Sequence, residues 1–285
     1  MNTYWVYENI KKQASFYNQL DVLLLLCSTS LWKKHHPTFK CILYADSMTI
    51  SLLEEMNASR LWDTVNELPS NTFIDKNIFW ASSKLEVLRY VEGPSVIMDH
   101  DFLTYRNLEN YLKNKPFFAY EENGDGYYDT SWNPIINKVK DIINRPKPHA
   151  INCCFSYYPE STFTNFYASQ SLKLMEFFTT EKVPNSKYLI FAEQLLLKYL
   201  LDYHKIDYDT LLNEKWNAKN NFYEPSDRGH MTFNESNIVY RHYWMDKPSI
   251  RESKNGFNLI QEITILKNIL KRHKKISCDH RYFTQ

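Results

Sequence analysis

Two aspartates stand two residues apart at the end of a short apolar run, in the segment VIMDHDF at residues 96–102. If the extended backbone continues past Met98, Asp99 and Asp101 face the same side. Like charges that close repel, and removing both from water is costly unless a cation compensates. A divalent ion held by oxygens does this, and Mn²⁺ or Mg²⁺ also bridges phosphate oxygens. The competing reading has one Asp capping the next turn and the other in water.

The glycine count sharpens the point. The five Gly, at 93, 124, 126, 229 and 256, form neither G-x-G-x-x-G nor G-x-x-x-x-G-K-[ST]. The turns that bring backbone amides against a pyrophosphate are therefore absent, and a bound diphosphate needs another source of positive charge. Lys84 is a compact cation able to screen a phosphate, or else a solvated residue on a helix face. Glu193 and Gln194 interrupt the apolar run LIFAEQLLLKYL. A buried Glu needs a partner, so it either faces a site or bonds neighbouring backbone. Glu121, Glu122 and Asp125 fall in the acidic, glycine-bearing stretch EENGDGYYD, which reads as a solvated loop.

Several classes are excluded by composition. Lys plus Arg total 34 against 33 Asp plus Glu, a net charge of +1, which argues against nucleic acid as a partner. The 21 Tyr, 17 Phe and 7 Trp fill a core and also supply rings that stack on sugars and bases. Five cysteines without a C-x-x-C spacing indicate neither a disulfide framework nor a zinc knuckle, so reduced thiols and a cytoplasmic setting are expected. The N-terminus lacks a signal-peptide pattern, and the longest apolar run, Val22 to Cys27, is too short to cross a bilayer.

The elements that must position these residues alternate strand and helix, the pattern of an α/β fold. A helix is expected from Leu20 to Lys33, with a basic, polar end at Lys33 to His36, and a buried strand from Phe39 to Ala45. Asp46 or Ser47 then caps a helix to Met56. Further strands are expected at 61–67, 95–98, 117–120, 151–157 and 237–244. Helices are expected at 80–90, 134–144, 163–178, 189–202 and 257–274. Ligands of open α/β sheets lie outside the carboxyl ends of the strands, where Asp46, Asp99 and Asp101 fall.

The order LYAD (43–46), FWASSKLEVLRY (79–90), SVIMDHDF (95–102) resembles glycosyltransferases of the GT-A fold. It is most similar to the group related to capsular-polysaccharide and sugar-binding D-x-D transferases. The resemblance covers about residues 20 to 110 and continues more loosely to His242. It implies a central mixed sheet flanked by helices in a single domain, with a nucleotide-binding half at 1–120 and an acceptor half at 121–285. It also implies a nucleotide-sugar donor, a UDP-sugar in the first place, and a glycan or glycolipid acceptor. Asp99 would touch the ribose or the metal, Asp101 the metal, and Asp46 the base or ribose. Lys84, with Ser82 or Ser83, would lie near the diphosphate. His242 would be a further metal ligand or diphosphate contact, although a structural His in an aromatic cluster reads equally well. Glu193, with Gln194, or the loop at Asp125 would deprotonate the acceptor or steady the sugar. Asn152 occupies a position that binds the donor sugar in the fold, but cysteines stand beside it where the relatives have small glycines.

Other readings are a sugar-nucleotide binder without turnover and a haloacid-dehalogenase-like phosphatase. The latter's D-x-D opens the chain and continues differently from Phe102-Leu103. Six Lys or Arg between Lys267 and Arg281 read as a solvated helix end or as a contact with an anionic membrane surface.

Overall fold

The computed structural model describes residues 1–9, 16–69, 73–123, 149–181, 190–217, 240–243 and 257–272. Asp125, the expected helix at 134–144 and the basic residues beyond Arg272 lie outside them. The chain divides into two compact units: Met1–Leu68 with Val96–Asn110 and Pro225–Gln285, and Pro69–Ser95 with Tyr111–Glu224. Among the described residues the principal sheet is mixed and has seven strands.

The first unit holds β1 (Asn2–Tyr7), α1 (Phe16–His35), β2 (Lys40–Ala45), α2 (Ser47–Glu55) and β3 (Thr64–Glu67). Its strand order is β3-β2-β1-β4, where β4 is Ser95–Met98 and belongs to this unit from Val96. β1, β2 and β3 pair in parallel, with Tyr7 opposite Ala45 and Ala45 opposite Glu67, so their carboxyl ends lie level. Parallel pairing requires long crossovers, which α1 and α2 supply. β1 was not anticipated from sequence. Tyr4, Trp5 and Tyr7 are all buried, so it shows no polar alternation to betray a strand.

From Leu20 to Trp32, α1 is buried nearly all round, with Asp21 the intermediate exception; it packs on β5 (Phe102–Thr104) and on α6 (Phe257–Arg272). Its Ser28 hydroxyl accepts from the Trp5 indole at 2.9 Å and donates to the Phe102 carbonyl at 2.7 Å. One small polar side chain thereby ties β1 to the residue that follows Asp101. β5 pairs antiparallel with β9 (Tyr240–His242), with Phe102 opposite His242.

The sequence places His36 at a polar helix end; it is instead fully buried, stacked on Trp32 with centroids 3.6 Å apart. Its Nε2 accepts from the Leu108 amide at 2.8 Å, which leaves Nδ1 to donate to the Trp32 carbonyl at 3.2 Å. Burial lowers its pKa from 6.5 to about 4. The unfolded imidazole takes up a proton near pH 6.5 and the folded one only near pH 4. Acidification through that window therefore favours the unfolded chain, and on the order of 3 kcal/mol of stability is lost across it. An NMR titration should find the His36 ring neutral at about pH 5.5; a midpoint at the free-imidazole value would contradict this.

The second unit holds α3 (Ser82–Leu88), β6 (Phe117–Asn123), β7 (Ala150–Tyr158), α4 (Ser161–Thr180), a π-helical turn (Phe191–Leu195), α5 (Leu196–Tyr203) and β8 (Asp209–Asn217). Its strand order is β7-β6-β8. β6 is antiparallel to β7 and parallel to β8. The expected strand at 117–120 runs on through Glu121 and Glu122, which sequence assigns to a solvated loop; pairing on both sides outweighs their polar composition. β8, which was not anticipated either, supplies one of those sides. α3 and α4 pack together. Among the described residues no helix is long and apolar enough to cross a membrane.

Candidate active site

In the first unit, β4 is wholly buried and ends at Met98, and Asp99-His100-Asp101 turns the chain into β5. The Phe102 amide bonds back to the Asp99 carbonyl at 3.1 Å, closing that turn. The Tyr243 amide donates to the Asp101 carbonyl at 3.0 Å, which seats β9 beside it. One ligand atom each from Asp99, Asp101 and His242 then lies within 4.8 Å of the others. His242 Nε2 stands 3.7 Å from an Asp101 carboxylate oxygen. Asp101 is 5% exposed, His242 6%, and Asp99 half-buried. His100 points elsewhere, with Nε2 3.4 Å from Asp21 and its ring edge-on to Tyr7. Arg241 donates to the Tyr243 hydroxyl at 2.8 Å and lies over that ring.

Two carboxylate oxygens and an imidazole nitrogen converging at this spacing suit a borderline divalent cation such as Mn²⁺, and a carboxylate-dominated set also suits Mg²⁺. His242 enters through the β5–β9 pairing, which no local sequence signal announces.

Asp46, in the same unit, is an N-cap as expected. One oxygen accepts from the Thr49 amide at 2.9 Å; the other accepts from the Thr49 hydroxyl and the Asn9 amide, both at 2.8 Å. Its carboxylate thus latches the residues after β1 to the start of α2.

In the second unit, Lys84 on α3 and Glu193 on the π-helical turn form an ion pair, with Nζ 2.5 Å from Oε1. Both side chains are largely buried. Lys84 also donates to the Cys153 carbonyl at 3.3 Å. The Tyr167 hydroxyl donates to the Glu193 carbonyl at 2.9 Å and holds the turn in place. The Leu196 amide reaches back five residues to the Phe191 carbonyl, the bond that defines the π turn. Such turns recur at functional sites, and this one buries Glu193 while Gln194 stays half-exposed. Ser82 and Ser83 open α3 and are buried, and the Ser82 hydroxyl has no hydrogen-bond partner among the described residues.

Asn152 on β7 is buried and adjoins an irregularity. Between Phe118–Ser156 and Tyr120–Asn152, three β7 residues face Ala119 alone. Bulges of this kind re-aim side chains and cluster next to active sites. The Asn152 carbonyl oxygen accepts from the Cys154 amide at 3.0 Å, and its nitrogen donates to Glu122 at 2.6 Å. Cys27, Cys41, Cys153 and Cys154 are buried free thiols, and burial pushes Cys41 up to about 12. An open cleft of about 490 Å³ in this unit, lined by Glu121, Asp202, Lys205 and Tyr208 among others, contains none of the expected donor or metal contacts.

No protein-family model matches the chain, and no curated protein matches it. Among solved structures, the galactosyltransferase LgtC in complex with donor and acceptor sugar analogues superposes with a TM-score of 0.52 at 10% identity, covering 98% of this chain and 97% of that one. The chain has the GT-A glycosyltransferase fold. An active-site mutant of LgtC aligns at a TM-score of 0.48 and 10% identity, over 86% of this chain and 87% of that one. The PaToxG glycosyltransferase aligns at 0.41 and 12%, over 71% and 69%. The GT-A fold accounts for strand order and for a D-x-D at the end of β4, and the haloacid-dehalogenase reading is not favoured.

Proposed function

We propose that this protein is a divalent-metal-dependent glycosyltransferase. It would move a sugar from a nucleotide-diphosphate donor, a UDP-sugar in the first place, to a hydroxyl of a glycan or glycolipid. The observation that carries this reading is the convergence of Asp99, Asp101 and His242 in a GT-A fold whose sequence has no phosphate-binding glycine turn. In the reaction, the bond from the anomeric carbon to the diphosphate oxygen breaks and a bond to the acceptor oxygen forms. The acceptor hydroxyl passes its proton to the departing diphosphate oxygen, so the products are the glycosylated acceptor and the nucleoside diphosphate.

Asp99, Asp101 and His242 would hold Mn²⁺ or Mg²⁺, which when bound would supply positive charge against the leaving diphosphate. Asp101, the more buried carboxylate, anchors that set; Asp99 at the rim also reaches the ribose. Glu193, held 2.5 Å from the Lys84 cation, is kept ionised and suits steadying positive charge on the sugar better than taking up a proton. Gln194 beside it offers both a donor and an acceptor to a sugar hydroxyl. Asn152 contacts the donor sugar. Ser82 and Ser83 lie on the helix that presents Lys84.

A thermal-shift panel of UDP-, GDP- and ADP-hexoses with and without Mn²⁺ tests the reading. One nucleotide sugar should raise the melting temperature, and only when Mn²⁺ is present, because a ligand of the folded state stabilises it. Mn²⁺-dependent hydrolysis of that same compound separates an enzyme from a binder without turnover. Silence across the whole panel contradicts the proposal.

A further inference from the structure

We propose that Glu122 is a positioning residue that fixes which end of the Asn152 amide is offered to the donor sugar, an inference that rests on the glycosyltransferase reading above. Glu122 and Asn152 belong to one face of the paired strands. Tyr120 lies opposite Asn152 and Glu122 opposite Ala150, so side chains 120, 122, 150 and 152 share a side. Glu121 points to the other face, where it bonds the Tyr208 hydroxyl and lies 3.4 Å from His149. Glu122 is 3% exposed, and Asn152 is buried with it.

Counting donors and acceptors gives the amide one orientation. An ionised Glu122 only accepts, so the end of Asn152 that meets it at 2.6 Å must be the NH₂. The Cys154 amide only donates, so the end that meets it at 3.0 Å must be the carbonyl oxygen. Turning the amide over sets oxygen against carboxylate and N–H against N–H, two buried mismatches. One of the two amide protons goes to Glu122. No described residue takes the second, so Asn152 presents an N–H donor suited to a hydroxyl or ring oxygen of a sugar. The Cys154 bond lies within the three-residue bulge of β7, so the backbone irregularity and the side-chain network hold each other. Glu122 acts through Asn152 and touches no reacting atom.

Calorimetric titration of the full chain tests this, using the nucleotide sugar selected by the thermal-shift panel and its matching nucleoside diphosphate, both with Mn²⁺. Glu122→Leu removes the acceptor. It should raise the Kd of the nucleotide sugar roughly tenfold while that of the nucleoside diphosphate stays within about twofold. Glu122→Gln keeps an acceptor oxygen without the charge and should fall between, at roughly threefold. Should Glu122→Leu fail to fold by circular dichroism, Glu122→Gln decides alone. An unchanged ratio of the two constants, or equal weakening of both compounds, overturns the positioning role and leaves the glycosyltransferase reading intact. A wild-type chain that binds neither compound sinks both.

Discussion

Asp101→Ala should lower the rate constant for metal-dependent donor turnover by roughly a thousandfold or more, with little loss of fold. Asp101 contributes one of three converging ligand atoms and is the more buried of the two carboxylates. Without it, one carboxylate and one imidazole remain, too few to outcompete water around a hard cation. The backbone bond from the Tyr243 amide to the Asp101 carbonyl does not involve the side chain, so β9 keeps its seat. Asp101→Asn is the companion variant: it preserves shape and removes charge, and its loss should approach that of alanine. Measured kcat across a Mn²⁺ titration separates the cases. A variant with wild-type turnover and wild-type metal dependence would contradict the assignment.

The second large effect concerns the Lys84–Glu193 pair. Removing one member of a buried ion pair leaves the other charge in a poor environment, which costs about 3–5 kcal/mol. Lys84→Met should therefore lower the melting temperature by roughly 10 °C. Lys84→Met combined with Glu193→Gln should recover most of that loss, because a neutral amide carries no such penalty. Glu193→Gln alone keeps the shape of the side chain and leaves Lys84 its bond to the Cys153 carbonyl. If the carboxylate steadies positive charge on the sugar, this variant should lose roughly 10²- to 10³-fold in kcat with the donor KM little altered. Unaltered kcat in Glu193→Gln would remove Glu193 from the proposed reaction.

What could be read from sequence follows from how local each signal is. The D-x-D after an apolar run is contiguous, so its strand was legible from seven residues, but the two carboxylates converge through the turn at Asp99–Asp101 and not along a continued strand. The Asp46 cap was legible for the same reason, since its partner Thr49 is three residues on. That Asn9 would complete the latch was not, because β1 is buried and shows no alternation. The burial of Glu193 is legible in its apolar run, but sequence offers it a site or neighbouring backbone, whereas the structure pairs it with Lys84, which periodicity could not name. No residue pattern announces the π turn that aims it. Glu122 was misread because EENGDG has the composition of a loop, whereas strands on both sides claim its backbone. His36 looked solvated among Lys33, Lys34 and His35, but a stacked Trp32 and the Leu108 amide account for its burial.

The proposed transfer requires a cation held by Asp99, Asp101 and His242, and electron paramagnetic resonance of Mn²⁺ titrated into the purified chain measures that directly. The wild-type protein should bind one ion, seen as loss of the free-ion signal, and binding should weaken by roughly tenfold or more in both Asp101→Ala and His242→Ala. A wild-type chain that leaves the free-ion signal untouched, with nucleoside diphosphate present or absent, would contradict the claim. So would variants that bind the ion as tightly as the parent.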